Sequence, residues 1–397
     1  MKPCSILIVE DHPFQHMYLQ HLFGELGPYY LEGARDGEEA LERLKWRKFD
    51  LVLTDLLMPG MDGVQFIQGL AALHSKPALA IMSSASRRML MSASLVAKNL
   101  GVKVIGLISK PVNLAALQTL TTQLSISQPS SPRPLPTSML SRAALAQAIQ
   151  EEQFEAWFQP KKSLFNGRIV AAEALVRWMH PTQGMLLLPD TFLPALKSFD
   201  LEEELLWLVL RQAIQAQARW RQHDYDIPVS INLPTHLLNS HDLADRLFDF
   251  VMEHQGVPGQ ICFELMECSV PQDISNFYAG ACRLRIKGFG LSQDDFGKGY
   301  SSYMNLVSTP FTELKIDRAL VQGCHASEEL TKALTSIIAL GRQLGLTVVA
   351  EGVESAEELA LLRKIDCSQV QGFLISRAVP SEQFQQLLVN DGPAASY

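Results

Sequence analysis

The sequence predicts an α/β protein with two folded units, a small doubly wound (βα)5 sheet followed by a larger (β/α)8 barrel. Short apolar runs alternate with helix-length segments along the chain, which is the pattern of βα units. Residues 124–138 interrupt that alternation with the Pro- and Ser-rich stretch LSISQPSSPRPLPTS. Five runs precede this stretch and eight follow it, which sets the predicted strand number of each unit.

Composition excludes several classes of protein. The chain has 397 residues, of which 47% are hydrophobic and 19% charged, so packed cores are expected and wholesale disorder is excluded. A net charge of -8 argues against DNA binding. The six cysteines form no CxxC pair, no apolar stretch reaches 18 residues, and no signal peptide is evident. We therefore expect a cytoplasmic protein with reduced thiols and no membrane span.

Four segments divide the chain. We predict a first folded unit at 1–123, a linker at 124–138, the barrel at 139–392 and a short tail at 393–397. The prolines of the linker fix φ and remove backbone donors, which favours an extended, semi-stiff connection. The linker should therefore separate two folded units.

The first unit should be a flavodoxin-like parallel sheet. Most of its apolar runs show little alternation, as expected of strands buried on both faces. The five runs are SILIVE (5–10), YYLEG (29–33), FDLVLTD (49–55), ALAIMSS (78–84) and VKVIGLISK (103–110). In doubly wound order the first and third strands are neighbours, and ligands bind outside their carboxyl ends.

Five polar side chains follow the strands of this first unit. Glu10 and Asp11 end the first run, Asp55 the third, Ser84 the fourth and Lys110 the fifth. Three carboxylates repel one another unless a divalent cation joins them. Such a cation would also neutralise a phosphoryl group on Asp55, whose other oxygens Ser84 and Lys110 can hold. The alternative is that these are solvated loop residues.

This set of residues resembles the active site of a response-regulator receiver domain, over residues 1–123. The resemblance implies one bound Mg²⁺, phosphorylation of Asp55, and a sensor histidine kinase or phosphotransfer protein as partner. Leu107 stands three positions before Lys110, where many receivers have an aromatic residue. The usual coupling between the hydroxyl and an aromatic rotamer is therefore not carried over to this chain.

The second unit should close into a modified (β/α)8 TIM-type barrel with an antiparallel first strand. Only eight residues join its first two runs, too few for a parallel crossover, so we predict antiparallel pairing. The eight runs are FEAWFQ (154–159), RIVAAEAL (168–175), PVSINL (228–233), ICFEL (261–265), GFGLSQDD (288–295), FTELKID (311–317), LTVVAEG (346–352) and SQVQGFL (368–374). Helix-length segments separate the later runs.

Oxygen-bearing side chains and one lysine collect where these eight runs end. They are Glu173, Asn232, Glu264, Asp294, Asp295, Lys315, Glu351 and Gln371. The carboxyl ends of barrel strands meet on one face, and such oxygen ligands suit hard divalent cations. The sequence therefore predicts a site for two ions, Mg²⁺ or Mn²⁺, which together suit in-line displacement at a phosphodiester.

The eight residues of this set have different predicted roles. The first ion would be held by Glu173, Asn232, Glu264 and Asp294. Asp295 would hold the second ion, with Asp294 bridging. Lys315 would orient a water, and Glu351 would accept its proton or complete the second ion's shell. Adjacent strand residues face opposite ways, so Asp294 and Asp295 can share the site only if the strand ends or bends there.

Parts of this set have simpler interpretations. The run Lys315-Ile316-Asp317-Arg318 alone is typical of a surface ion-pair cluster. Asp294 and Asp295 are also typical of a helix N-cap region. Glu173 within VAAEALV is harder to explain in this way, because an unpaired buried carboxylate is costly and needs a cation or a raised pKa.

The motifs around these residues resemble those of EAL-type cyclic di-GMP phosphodiesterase domains, over residues 140–390. The matching motifs are EALVRW (173–178), SINL (230–233), ELME (264–267), DDFG (294–297), KIDR (315–318), EGVE (351–354) and QGF (371–373). The resemblance implies metal-dependent hydrolysis of cyclic di-GMP to linear pGpG by a response regulator, and a homo-oligomer.

The same resemblance assigns supporting roles. The substrate would be contacted by Gln159, Arg177 and Gln371. Glu267 would anchor the loop after Asp295, and Glu354 would support the loop of Glu351. Lys298 stands where the family usually has Thr, and its charge close to two ions can lower metal affinity or redirect the loop.

We therefore predict an active phosphodiesterase controlled by phosphorylation of Asp55, since every expected metal ligand is present. The alternative is a catalytically weak or inactive EAL domain that acts as a cyclic di-GMP sensor or a protein-docking module. Lys298 is the departure that keeps this alternative open.

Overall fold

The computed structural model describes residues 4–73, 76–84, 87–127, 140–180, 185–266, 274–297 and 303–391. The chain divides into two compact units, Met1–Pro134 and Leu135–Tyr397. Across the described ranges, no helix combines the length and apolar character that crossing a bilayer requires.

The first unit is a five-stranded parallel sheet with the strand order β2-β1-β3-β4-β5. Its elements in chain order are β1 (Ser5–Val9), α1 (Pro13–Leu26), β2 (Tyr30–Ala34), α2 (Gly37–Trp46), β3 (Leu51–Asp55), α3 (Gly63–Ala71), β4 (Ala78–Ser83), α4 (Arg87–Asn99), β5 (Val104–Ser109) and α5 (Leu114–Ser127). This order places β1 beside β3, as the doubly wound prediction requires, and the flavodoxin-like fold is confirmed.

Alternate residues of β1, β3 and β4 enter two separate cores, one on each face of the sheet. Leu7 of β1 packs in the first core, and Ile6 and Ile8 pack in the second. Strands buried on both faces explain the continuous apolar runs in the sequence. Helix α5 continues to Ser127, into the segment predicted as the linker, and the rest of that segment lies outside the described residues.

The second unit contains a closed barrel and its surrounding helices. Its elements in chain order are α6 (Arg142–Gln150), β6 (Phe154–Ser163), β7 (Ile169–His180), β8 (Met185–Leu187), α7 (Pro189–Ser198), α8 (Glu202–Arg221), β9 (Val229–Asn232), α9 (Leu243–Glu253), β10 (Ile261–Met266), α10 (Ile274–Ile286), β11 (Gly290–Phe296), α11 (Tyr303–Ser308), β12 (Glu313–Ile316), α12 (Arg318–Val321), α13 (Glu328–Gln343), β13 (Thr347–Ala350), α14 (Ala356–Lys364), β14 (Gln369–Val370), β15 (Val379–Pro380) and α15 (Ser381–Asp391).

The barrel closes through its first strand. The ring runs β6-β14-β13-β12-β11-β10-β9-β7, and β7 pairs again with β6. Strand β6 is antiparallel to both of its ring neighbours, whereas the other ring pairs are parallel. The predicted TIM-type barrel with an antiparallel first strand is therefore confirmed.

Several strands differ in length from the sequence prediction. The hairpin strands β6 and β7 extend to Ser163 and His180, beyond the predicted ends, because they pair along most of their lengths. Strand β14 contains only Gln369 and Val370. After Val370 the chain turns to bond with the backbone of Val353, which donates to the Gln371 carbonyl at 3.1 Å.

Polar residues occupy the interior of this barrel at a depth where aliphatic side chains are more usual. Lys161, Glu264 and Lys315 are at most 1% exposed, and Ser230 and Ser292 are also buried. The large apolar core lies between the strands and the surrounding helices. In that layer the ring of Phe158 packs edge-on against Trp220, with centroids 4.9 Å apart.

We predict that Phe158→Ala lowers the free energy of unfolding of the barrel by about 3–5 kcal/mol, because it removes a fully buried ring and leaves a cavity. Urea unfolding followed by tryptophan fluorescence measures this. Phe165→Ala is the matched control, since this ring is 96% exposed, and it should change stability by less than about 0.5 kcal/mol. Equal effects of the two substitutions would contradict the described core.

Candidate active site

Strand β11 bends where its two aspartates stand. The pairing between β11 and β12 shifts register between Gln293 and Phe296, and Asp295 has a left-handed φ of 57°. The backbone N–H of Asp295 donates to Asp294 Oδ1 at 2.9 Å. A flat strand would turn these neighbours to opposite faces, but this bend lets one oxygen from each approach Glu351, all within 4.8 Å of one another.

The ammonium group of Lys315 lies at the centre of the carboxyl-end face. Its Nζ is 2.7 Å from Glu264 Oε2, 2.8 Å from Glu351 Oε1, 3.1 Å from Asp294 Oδ1 and 3.3 Å from Glu173 Oε2. Glu173, Glu264 and Asp294 lie in β7, β10 and β11, and Glu351 directly follows β13. The structure thus brings together most of the residues that the sequence predicted as metal ligands.

Two side-chain amides flank Glu173. Gln371 Nε2 donates to Glu173 Oε2 at 2.6 Å and to Gln159 Oε1 at 3.1 Å. Asn232 Nδ2 lies 3.5 Å from Glu173 Oε1. Gln371 Oε1 is buried and accepts no hydrogen bond from the described residues, which makes it an available acceptor at the site.

Burial controls the charge state of these groups. Burial raises the pKa of Glu173 to about 8, with the neighbouring Glu264 adding to the effect. It also raises the pKa of Glu351 to about 7, although Lys315 opposes the shift. Burial alone would raise the pKa of Glu264 as well, but Lys315 and Lys161 outweigh it and lower the pKa to about 2.

Sequence reasoning missed a second buried ammonium group, that of Lys161. Its Nζ donates to Glu264 Oε1 at 3.1 Å, Ser230 Oγ at 2.7 Å and Glu313 Oε1 at 2.6 Å. The predicted strand ends at Gln159, whereas β6 continues to Ser163, so the prediction does not include Lys161 and Lys162. Alternation along a longer strand would have placed Lys161 inside and Lys162 outside.

Two of the predicted substrate-contacting residues, Gln159 and Arg177, lie on the paired strands β6 and β7. Gln159 pairs in register with Glu173 and donates through Nε2 to the Ser376 carbonyl at 3.0 Å. Arg177 is half-buried, and its guanidinium lies 5.9 Å from the ring centroid of Trp157. Burial lowers the pKa of Arg177 from its usual range.

A pocket that is open to solvent lies beside Lys315 and the carboxylates around it. Its lining includes the acidic cluster of Glu173, Asp294, Asp295 and Glu351, together with Arg318, Glu354 and Phe373. Glu354 is exposed, and the backbone of its loop is held by Glu358, which sequence reasoning missed. The Glu358 carboxylate accepts from the N–H groups of Glu354 at 2.9 Å and Ser355 at 3.1 Å. The Ser-x-x-Glu spacing of a capping box was the available signal.

The donor set fits divalent cations. Carboxylate oxygens are hard ligands, the kind that divalent cations prefer. Asp294, Asp295 and Glu351 form one group that could hold an ion. Lys315 contacts four carboxylates of the site, and Lys161 adds a second positive charge at Glu264. Glu267 and Lys298, to which the sequence assigned roles beside this group, lie outside the described residues.

The first unit carries its own acidic cluster at the carboxyl ends of β1 and β3. Oxygens of Glu10, Asp11 and Asp55 lie within 4.8 Å of one another. Lys110 Nζ is 2.8 Å from Glu10 Oε2 and also donates to Asp55 Oδ2. Ser84 follows β4 directly and is exposed. The structure therefore places all five predicted residues at the same edge of the sheet.

Family models match both units. The response regulator receiver domain matches residues 6–122, and the EAL domain matches residues 142–378. The chain belongs to the EAL domain family. Its EAL domain is preceded by a receiver domain, which confirms the organisation predicted from the motifs.

Curated relatives and solved structures agree with this assignment. The cyclic di-GMP phosphodiesterase RocR of Pseudomonas aeruginosa is 32% identical over 97% of this chain and 98% of its own length. The Escherichia coli oxygen sensor protein DosP is 36% identical over 61% of this chain but only 30% of its own length. The structure of the MucR phosphodiesterase in complex with cyclic di-GMP aligns with a TM-score of 0.56 and 34% identity, covering 61% of this chain and 98% of that one.

We predict that Gly372→Ala weakens the EAL site, because an added Cβ would lie 2.2 Å from the Val353 carbonyl oxygen and 2.3 Å from its nitrogen. The backbone must shift, which should cost about 1–3 kcal/mol of stability and displace the adjacent Gln371. Chemical unfolding and Mn²⁺ titration by electron paramagnetic resonance measure the two effects.

The matched control for this substitution is Gly259→Ala, whose added Cβ would meet only the Gly288 carbonyl oxygen, at 3.9 Å. It should leave Mn²⁺ affinity unchanged. If Gly372→Ala keeps the stability and the Mn²⁺ affinity of the wild-type chain, the close approach of Gly372 to Val353 is not needed for metal binding.

Proposed function

We propose that this chain is a response regulator whose EAL domain hydrolyses cyclic di-GMP to linear pGpG with divalent cations. The observation that carries the proposal is the contact of Lys315 with four carboxylates from Glu173, Glu264, Asp294 and Glu351 on one face of the barrel. The similarity to RocR over nearly the full length of both chains supports the same reaction.

The barrel residues have distinct proposed tasks. The ions would be held by Glu173, Asn232, Glu264, Asp294, Asp295 and Glu351. Two bound cations, Mg²⁺ or Mn²⁺, would stabilise the attacking and leaving oxygens of an in-line displacement at a phosphodiester. Lys315 would orient the attacking water, and Glu351, which lies 2.8 Å from its ammonium group, would accept the proton.

Other residues would bind the substrate. The guanidinium of Arg177 offers a planar fork that suits a phosphate group. Gln159 and Gln371, joined by a hydrogen bond, present amide groups beside Glu173. We propose that Gln371 Oε1, which has no partner among the described residues, accepts a hydrogen bond from the substrate or from a water molecule.

We also propose that phosphorylation of Asp55 controls this activity. Glu10, Asp11 and Asp55 can hold one Mg²⁺, and Lys110 and Ser84 are available to the remaining oxygens of a phosphoryl group. A sensor histidine kinase or phosphotransfer protein would supply the phosphoryl group. Control would work by changing the populations of conformations at the EAL site.

Two further predictions of the sequence accompany the proposal. A homo-oligomer remains a prediction, which light scattering of the purified chain would test. A cytoplasmic location also remains a prediction, and the free thiols of the described cysteines support it.

We predict that the purified chain converts cyclic di-GMP to pGpG in the presence of Mg²⁺ or Mn²⁺, and that Glu173→Gln reduces turnover at least 100-fold. The substitution keeps the shape of the side chain but removes the carboxylate that would hold a cation. Product analysis by liquid chromatography measures this. Glu328→Gln is the matched control, since Glu328 is exposed and forms a surface ion pair with Lys332.

The same assay separates the phosphodiesterase from the sensor. An inactive EAL domain would bind cyclic di-GMP, as isothermal titration calorimetry would show, but release no linear product with any divalent cation. That result in the wild-type chain would refute the proposed function.

We predict that acetyl phosphate changes the turnover of the wild-type chain and leaves the turnover of Asp55→Asn unchanged. Asparagine keeps the size of the side chain but cannot accept a phosphoryl group. Steady-state rates with and without the phosphodonor give the comparison, with acetate as the control for the leaving group. Equal responses of the two chains would show that Asp55 does not control the EAL domain.

A further inference from the structure

Lys161 is a buried ammonium group to which the proposed reaction gives no task. Its side chain is fully inside the barrel, with 0% exposure. An ammonium has three N–H donors, and three acceptors surround this one, namely Ser230 Oγ, Glu264 Oε1 and Glu313 Oε1. Its donors are therefore all used, and the orientation of the group is fixed.

The two oxygens of Glu264 are divided between two lysines. Lys161 donates to Oε1 at 3.1 Å, and Lys315 donates to Oε2 at 2.7 Å. Lys315 also contacts Asp294 and Glu351, so Oε2 is the oxygen on the side of the acidic cluster. Oε1 is turned toward the barrel interior.

The two lysines differ in how easily they can leave Glu264. Lys315 has four carboxylates within reach for three donors, so it can exchange one acceptor for another. Within the described part of the chain, Lys161 has only as many acceptors as donors, and losing one would leave part of a buried charge unsatisfied, which is costly. A cation entering the cluster can therefore displace Lys315 from Glu264 but not Lys161.

We propose that Lys161 is a positioning residue that holds Glu264 so that it offers only one oxygen, Oε2, to a divalent cation. This inference rests on the proposed metal-dependent function. A single carboxylate oxygen suits Mg²⁺ and Mn²⁺, which use compact octahedral shells. A carboxylate free to use both oxygens suits Ca²⁺, which accepts bidentate ligands and larger coordination numbers. Lys161 thus sets both the affinity and the selectivity of the site.

The test uses the full chain and measures metal binding without substrate. Mn²⁺ affinity is measured by electron paramagnetic resonance, and Ca²⁺ affinity by competition against Mn²⁺. Lys161→Met should weaken Mn²⁺ binding about 10–100-fold, the usual effect of losing a partner of a metal ligand. The preference for Mn²⁺ over Ca²⁺ should fall in the same variant.

Lys162→Met is the matched control. Lys162 is the next residue of β6, and its ammonium group pairs with Asp391 Oδ1 at 2.7 Å, away from Glu264. Both metal affinities should match those of the wild-type chain in this variant. A loss equal to that of Lys161→Met would attribute the effect to the strand and overturn the proposal.

A second variant separates positioning from stability. Lys161→Met leaves Glu313 without its ammonium partner, so Lys161→Met/Glu313→Gln removes that unpaired charge and should unfold at a higher temperature than the single variant. The proposal requires the double variant to keep the weakened Mn²⁺ affinity and the altered selectivity. Recovery of both along with stability would assign Lys161 a purely structural role.

Failure of this inference can be told from failure of the proposed function. If the wild-type chain binds Mn²⁺ and the folded Lys161 variants bind it within twofold with unchanged selectivity, only the role of Lys161 is overturned. If the wild-type chain binds no Mn²⁺ at the barrel, both proposals fall.

Discussion

The EAL site depends on the balance between one lysine and the carboxylates that the barrel strands direct at it. Each carboxylate buried without a partner would cost several kcal/mol or take up a proton. Lys315 offsets this cost by contacting Glu173, Glu264, Asp294 and Glu351 together. Lys161 adds a second positive charge at Glu264, and the acidic groups of the site still outnumber the two ammonium groups. The same excess of acidic groups would attract divalent cations. The charges that the barrel interior must accommodate on folding are therefore the ones proposed to bind the ions.

The barrel separates stabilisation from chemistry in space. Aromatic and aliphatic residues fill the layer between strands and helices, where Phe158, Trp220 and Phe384 pack together. The interior of the barrel can then carry lysine and glutamate side chains at some cost to stability. The closing hairpin makes this arrangement possible, because its antiparallel first strand brings Gln159 and Lys161 into the interior beside residues of the later, parallel strands.

Much of this could be predicted from the sequence, and the omissions have physical reasons. The short connection between the first two runs sufficed to predict antiparallel pairing. The requirement that Asp294 and Asp295 share a site predicted a bend, and the structure makes it at Asp295 itself. Lys161 was missed because the predicted strand ends at Gln159, and because its burial depends on partners over 60 residues away. Long-range pairing of this kind leaves no local periodicity to detect.

The most direct test is to locate bound ions by anomalous diffraction in crystals of the full chain grown with Mn²⁺. Two neighbouring peaks should appear in the barrel, among Glu173, Asp294, Asp295 and Glu351, with Lys315 no longer in contact with all four of its carboxylates. If crystals saturated with Mn²⁺ show no peak in this cluster, or show peaks only on other surfaces, the barrel does not hold the proposed pair of ions.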